Sequence, residues 1–181
     1  TTVIENAAIE PEITQLAHYL VKMGARIDGI GSNILTIEGV DSLHPADDIN
    51  IADRIEAGTF LAAAAGAGGS ITLTNTNPSH LTSVLTRLED IGCSVAVNGD
   101  EIKLESNGEL KSVNVTTAIY PGFPTDMQAQ WMSIMTRAKG SSVVTDTIYH
   151  DRFNHVAELH RLGADITINE NTAVINGVRE L

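Results

Sequence analysis

Cysteine is almost missing from this chain: Cys93 is the single one in 181 residues. A lone cysteine excludes an internal disulfide and fits a reducing cytoplasm. It follows Gly92 in an apolar strand pattern, so it reads as a packed small residue rather than a reactive thiol. Long apolar runs are also lacking. None approaches the roughly 20 residues that cross a bilayer, and no basic-then-apolar leader occurs. The expectation is a cytoplasmic protein with no membrane partner. Basic charge is scarce, with 11 Lys and Arg against 23 Asp and Glu and a net charge of −12. That balance argues against nucleic acid, whose phosphates it would repel. A few local guanidinium groups can still hold a small anion.

Several familiar chemical signatures are absent. His150, His155 and His160 are spaced by five, about 140° per step around a helix, so they share no face for a metal. Gly66–Gly69 lacks the Lys-Ser/Thr of a phosphate-binding loop. Gly29-Ile30-Gly31 lies in a hairpin pattern and gives no dinucleotide fingerprint. There is no Gly-x-Ser-x-Gly elbow. No metal or redox cofactor is signalled.

What the chain does contain is one motif three times. Leu20-Val-Lys-Met-Gly24-Ala-Arg-Ile27, Leu88-Glu-Asp-Ile-Gly92-Cys-Ser-Val95 and Leu159-His-Arg-Leu-Gly163-Ala-Asp-Ile166 share a pattern: helix end, glycine stop, strand start. The glycines lie 68 and 71 residues apart. The chain is therefore an array of one unit. The middle copy is clearest. It has an Ala-rich helix over 53–67, a strand over 70–75, and a second helix opened by Asn77-Pro78-Ser79 with an apolar stripe at Leu81, Val84, Leu85, Leu88 and Ile91. Two strands over 94–97 and 101–105 follow, joined at Asn98-Gly99-Asp100. The third copy repeats this, with a helix over 125–138, a strand over 142–147, a helix over 154–162 and strands over 165–169 and 172–176.

The first copy begins at a strand over 1–5 and lacks its first helix. Leading strands are expected over 48–52 and 112–116, so the unit reads β-α-β-α-β-β and the fold class is α+β. The expected divisions are 1–41 for the end of one unit, 42–47 for a linker, and 48–108 and 109–181 for two complete units. A first copy without its helix should leave an open sheet edge and an apolar face, which favours self-association.

Function is expected where copies differ. Aligning Gly69 with Gly140 puts Asp126 on Ile55, Arg152 on Leu81 and Ile13, and His155 on Val84 and Leu16. Thr125 and Gln128 have capping-box spacing, which places Asp126 in a first helical turn. There it either complements the helix dipole or accepts a proton from a substrate hydroxyl. Arg152 is either a surface residue paired with Asp151 or Glu158, or a planar fork for a carboxylate or phosphate. His155 reads as a solvated or hydrogen-bonded helix residue.

Four strings carry a resemblance: Thr1-Thr-Val-Ile-Glu-Asn-Ala-Ala8 with Glu10-Pro-Glu-Ile13; Asp53-Arg-Ile-Glu-Ala-Gly-Thr-Phe60; Phe123-Pro-Thr-Asp-Met-Gln-Ala-Gln130; and Asp151-Arg-Phe-Asn-His-Val156. Together they closely resemble the UDP-N-acetylglucosamine 1-carboxyvinyltransferase family of enolpyruvyl transferases, over the whole chain. The Phe-Pro-Thr-Asp-Met-Gln-Ala-Gln string separates that family from enolpyruvylshikimate-phosphate synthase, which shares the architecture.

The resemblance implies two domains of three β-α-β-α-β-β units each, in a pseudo-threefold inside-out barrel, with this chain a central fragment of about two and a half units. It implies transfer of enolpyruvyl from phosphoenolpyruvate to the 3-hydroxyl of UDP-N-acetylglucosamine, releasing phosphate, in peptidoglycan synthesis. Asp126 would bind the sugar and act as base, the backbone at Ile148 would touch the sugar nucleotide, and Arg152 would hold the phosphoenolpyruvate carboxylate. Asp53 and Arg54 match a string near the cleft. Where the family usually has Glu-Asn before the Arg, this chain has His150-Asp151. The family's early Lys-Asn pair, its loop Cys or Asp, and its late Asp and Arg have no counterpart here. The fragment alone is therefore expected to be inactive. The rival reading is a non-catalytic binding or scaffold domain on the same repeats.

Overall fold

Each of the three glycine motifs ends a helix in the same way. The helices are α1 (Pro11–Lys22), α3 (Thr82–Asp90) and α5 (Val156–Arg161). Gly24, Gly92 and Gly163 follow with φ of 103°, 107° and 99°, a conformation that costs a residue without Cβ little. Their N–H groups donate to Val21, Glu89 and His160. The next N–H groups, of Ala25, Cys93 and Ala164, reach back to Leu20, Leu88 and Leu159. This pair of bonds is a Schellman motif, which also brings together the residue after the glycine and the leucine five before it. The repeat signature is thus a helix-ending device, and Cys93 is there as its small apolar member.

The computed structural model describes residues 1–181 and divides into two compact units, 1–51 and 52–181. The first holds β1 (Thr2–Glu5), α1, β2 (Arg26–Asp28) and β3 (Ile34–Glu38), with strand order β1-β3-β2. The second holds α2 (Arg54–Ala67), β4 (Gly69–Leu73), α3, β5 (Ser94–Asn98) and β6 (Glu101–Ser106), ordered β4-β6-β5. It continues with β7 (Val115–Thr116), α4 (Gln128–Met135), β8 (Ser141–Thr145), α5, β9 (Asp165–Asn169) and β10 (Thr172–Asn176), ordered β7-β8-β10-β9. The three copies have one topology: the strand after the first helix pairs with the last strand, which pairs with the middle one. The sheets are open.

The 71-residue register holds strand by strand. Ile71 pairs with Leu104 and Leu104 with Val95, while Ser142 pairs with Ile175 and Ile175 with Ile166. In both sheets the central member of the trio is fully buried. A slip of one residue would turn these side chains to the opposite face.

One expected strand is not formed. Residues 48–52 have no strand pairing. The Asp48 carboxylate accepts from Lys22 Nζ and from Gln15 Nε2, and the Tyr19 hydroxyl donates to the Ala46 carbonyl at 3.3 Å. These contacts fasten the segment to α1, which wins over its alternating apolar pattern. The leading strand of the third copy does form, shortened to Val115–Thr116, in parallel with β8.

The core of residues 52–181 lies between α2, α3, α4 and the inner sheet faces. Leu61, Leu81, Leu88, Trp131 and Met132 are essentially inaccessible there. Gly58 allows the close approach of α2 to the start of α4, since a Cβ at this position would lie 2.9 Å from Met127 Sδ. Phe123 meets Trp131 edge to face at 5.5 Å between ring centroids. No helix is long and apolar enough to cross a membrane.

Candidate functional site

Asp126 lies in a 3₁₀ turn, Thr125–Met127, that leads into α4. The fixed φ of Pro124, −71°, starts that turn. Asp126 therefore occupies the first helical turn as expected, but the capping box does not form. Thr125 makes no cap; its hydroxyl donates to Asp146 Oδ2 at 2.7 Å. Gln128, the other half of the expected box, is fully buried. A buried carboxylate outcompetes the local backbone for the Thr125 hydroxyl.

Arg152 sits on the loop between β8 and α5. Its Nη1 donates to Asp126 Oδ1 at 2.7 Å and to Thr125 Oγ1 at 3.2 Å. Its guanidinium carbon lies 5.3 Å from the Tyr149 ring centroid. The expected pairing with Asp151 or Glu158 is not the one observed: Glu158 pairs with Arg161 at 2.8 Å. Asp126 and Arg152 stay open to solvent, with side chains 53% and 43% exposed. A solvated pair of this kind contributes about 0–1 kcal/mol and exchanges partners cheaply.

The loop has a physical origin in the repeat. In the second copy a short turn, Pro78–Leu81, and then α3 carry Leu81 and Val84 into the core, each 1% exposed. In the third copy those positions are Arg152 and His155, and α5 starts only at Val156. A guanidinium cannot enter that core unpaired, so the first helical turn is lost and its residues become loop. His155 is half-buried against this loop. Burial, and then the neighbouring Arg152 charge, push its pKa down.

Asp146, directly after β8, is the organising group. It is a fully buried acid. Oδ1 accepts from Thr117 Oγ1 at 2.7 Å and from the N–H groups of Ile148 and Tyr149 at 2.9 Å each. Oδ2 takes the Thr125 hydroxyl. Burial pushes its pKa up, but these donors outweigh it and hold the carboxyl below its ordinary value. The sequence reading missed Asp146, although a signal existed. By strand register it matches Asn75 and Asn6, both at positive φ, 56° and 55°. Here again the third copy departs from the other two.

The remaining expected residues separate. The Ile148 amide is part of the Asp146 shell. Asp53 caps α2, with Oδ1 accepting from Ile55 N at 2.8 Å and Glu56 N at 3.0 Å. Arg54 lies over the Tyr120 ring at 5.6 Å. No cluster of three or more His, Cys, Asp or Glu side chains is arranged to hold a metal.

A pair made of an acid and a guanidinium, both accessible and rooted in one buried carboxylate, can receive a hydroxyl on one side and a small anion on the other. Comparison with known proteins agrees on the architecture. UDP-N-acetylglucosamine 1-carboxyvinyltransferase from Chlorobium phaeovibrioides is 57% identical over 181 residues, all of this chain and 43% of that protein. The protein of that name from Myxococcus xanthus is 48% identical over 180 residues, again 43% of its length. This chain thus spans well under half of the curated relatives it matches. The crystal structure of the enolpyruvyl transferase NikO from Streptomyces tendae aligns with a TM-score of 0.83 at 25% identity, covering 97% of this chain and 42% of that one. EPSP synthase from Acinetobacter baumannii shares the fold, with a TM-score of 0.60 at 22% identity. The family model for EPSP synthase (3-phosphoshikimate 1-carboxyvinyltransferase) matches residues 1–181. From end to end, this chain belongs to the EPSP synthase family of enolpyruvyl transferases.

Proposed function

We propose that this chain carries part of the active site of a UDP-N-acetylglucosamine 1-carboxyvinyltransferase, acting in the cytoplasm in peptidoglycan synthesis. The observation that carries this reading is the 2.7 Å contact between the exposed Asp126 and Arg152. Substrates would replace it with two contacts. The phosphoenolpyruvate carboxylate takes the Arg152 fork. Asp126, released, accepts the proton of the sugar 3-hydroxyl as its oxygen bonds to C2 of phosphoenolpyruvate, while C3 takes a proton from water. Elimination from the resulting ketal returns a proton from C3 to water, breaks the C2–O bond to the phosphate and releases phosphate. With its N–H held by Asp146, Ile148 would meet the sugar nucleotide through its carbonyl. Asp53 and Arg54 support the start of α2 and are assigned no chemical step.

The test is calorimetric titration of UDP-N-acetylglucosamine and phosphoenolpyruvate into the 181-residue chain and into Asp126→Ala. Binding lost on substitution supports the reading. Binding by neither protein favours a scaffold on the same repeats. Much of the longer relatives' length has no counterpart here, so we expect no phosphate release by this chain alone. We also assign a second copy of the chain as partner of the first unit, where Val3, Leu16 and Ile34 are each at least half exposed and β1 is an edge strand. Light scattering that finds only monomer would refute that assignment.

A further inference from the structure

The proposed reaction requires Arg152 to keep its aim after Asp126 has left it for a substrate hydroxyl. The geometry contains a second anchor. An ionised Asp146 carboxylate only accepts hydrogen bonds, so the Thr125 hydroxyl, 2.7 Å from Oδ2, must donate to it. That fixes the hydroxyl's direction. Its lone pairs then face Arg152 Nη1, which donates to it at 3.2 Å. The same logic applies on the other side of Asp146, where Thr117 Oγ1 donates to Oδ1 and accepts from Thr147 N at 3.0 Å. Asp146 also fastens the N–H groups of Ile148 and Tyr149, the root of the loop that bears Arg152.

We propose that Asp146 is a positioning residue for Arg152, acting through the polarised Thr125 hydroxyl and independently of Asp126. It is fully buried, so it meets no ligand itself, and it has no step of its own in the reaction. It turns a threonine that could point either way into a committed acceptor for the guanidinium, on a loop whose backbone it also holds. The contact with Asp126 is the exchangeable anchor of Arg152, and the contact with Thr125 is the permanent one. This inference rests on reading Arg152 as an anion clamp, but its geometry can be measured without substrate.

The experiment follows rotation of the Arg152 guanidinium about its Cζ–Nε bond by NMR in the ligand-free chain, with the signal assigned by its loss in Arg152→Lys. Thr125→Val and Asp146→Asn should each speed rotation by about tenfold, the scale of losing one hydrogen bond to a charged group. Thr125→Ser should restore the slow rate, and Asp126→Asn should leave it within about twofold, a small fraction of one such bond. Asn171→Ala removes a side-chain bond to the Asp146 carbonyl and leaves its carboxylate alone. It should lower the urea midpoint without freeing Arg152. The proposal is overturned if Asp126→Asn frees Arg152 while Thr125→Val does not, or if Asn171→Ala frees it equally, which would mark a general structural role. Thr125 is only partly buried, so its variants test the idea even if Asp146→Asn fails to fold. Substrate binding by neither wild type nor variants would count against the catalytic reading and leave the rotation result standing.

Discussion

Arg152 and Leu81 share one register position in consecutive repeats, and their surroundings are opposite. Leu81 is sealed in the core, while Arg152 reaches solvent beside Asp126. The difference predicts opposite responses to substitution. Leu81→Ala should cost about 2–5 kcal/mol by removing a fully packed side chain. Arg152→Leu should change stability by about 1 kcal/mol at most, since its contacts with Asp126, Thr125 and Tyr149 are all made by a guanidinium open to solvent. Urea unfolding of both variants checks this, and the order reverses if Arg152 is a structural keystone.

Asp146 should make the protein acid-sensitive. Its folded-state pKa is depressed, so its stabilisation is present above the unfolded value, about 4 for an aspartate, and is lost as pH falls through the lower folded value. Wild-type stability should therefore fall below about pH 4 more steeply than that of Asp146→Asn. Parallel urea midpoints for the two proteins over that range would contradict the assignment.

His155 titrates in a different window. Its pKa is lowered by burial and then by Arg152, so the neutral ring is the folded form. Stability should be full above the unfolded histidine value near 6.5 and decline as pH falls below it. Its ring C–H resonance should report a midpoint below the ordinary one. Arg152→Gln should move that midpoint upward, and a downward move would rule out the charge contribution.

Asp53 is expected to act through the helix it caps. Asp53→Ala should lose about 0.5–2 kcal/mol with the cap, and Asp53→Asn or Asp53→Ser should recover most of it. A loss of ligand binding in Asp53→Asn with unchanged stability would assign Asp53 to the site instead.

The repeat was legible because its markers are backbone devices. A glycine at positive φ after a helix, with leucine five before the residue that follows it, specifies a local geometry by itself. That set the 71-residue register, which put Asp126 and Arg152 at the starts of two helices. Their meeting at 2.7 Å depends on how much of the second helix unwinds, and no local pattern near Val156 states that. The strand expected over 48–52 failed for a related reason. Ile49-Asn50-Ile51 alternates as a strand should, but Lys22 and Gln15, more than 25 residues away, hold Asp48. Thr125 and Gln128 had the right spacing for a box, and a buried carboxylate 21 residues on took the hydroxyl. Asp146 itself was overlooked because an acid between Thr145 and Thr147 at a strand end looks solvated until the sheet is assembled.

The fastening of the Ile148 and Tyr149 amides from behind has a practical corollary. The stretch Tyr149–Asp151 hangs from a rigid root, so its outward side chains can be randomised in a library without redrawing the main chain beneath them. Sequence diversity at those three sites should register as altered ligand preference well before it registers as misfolding.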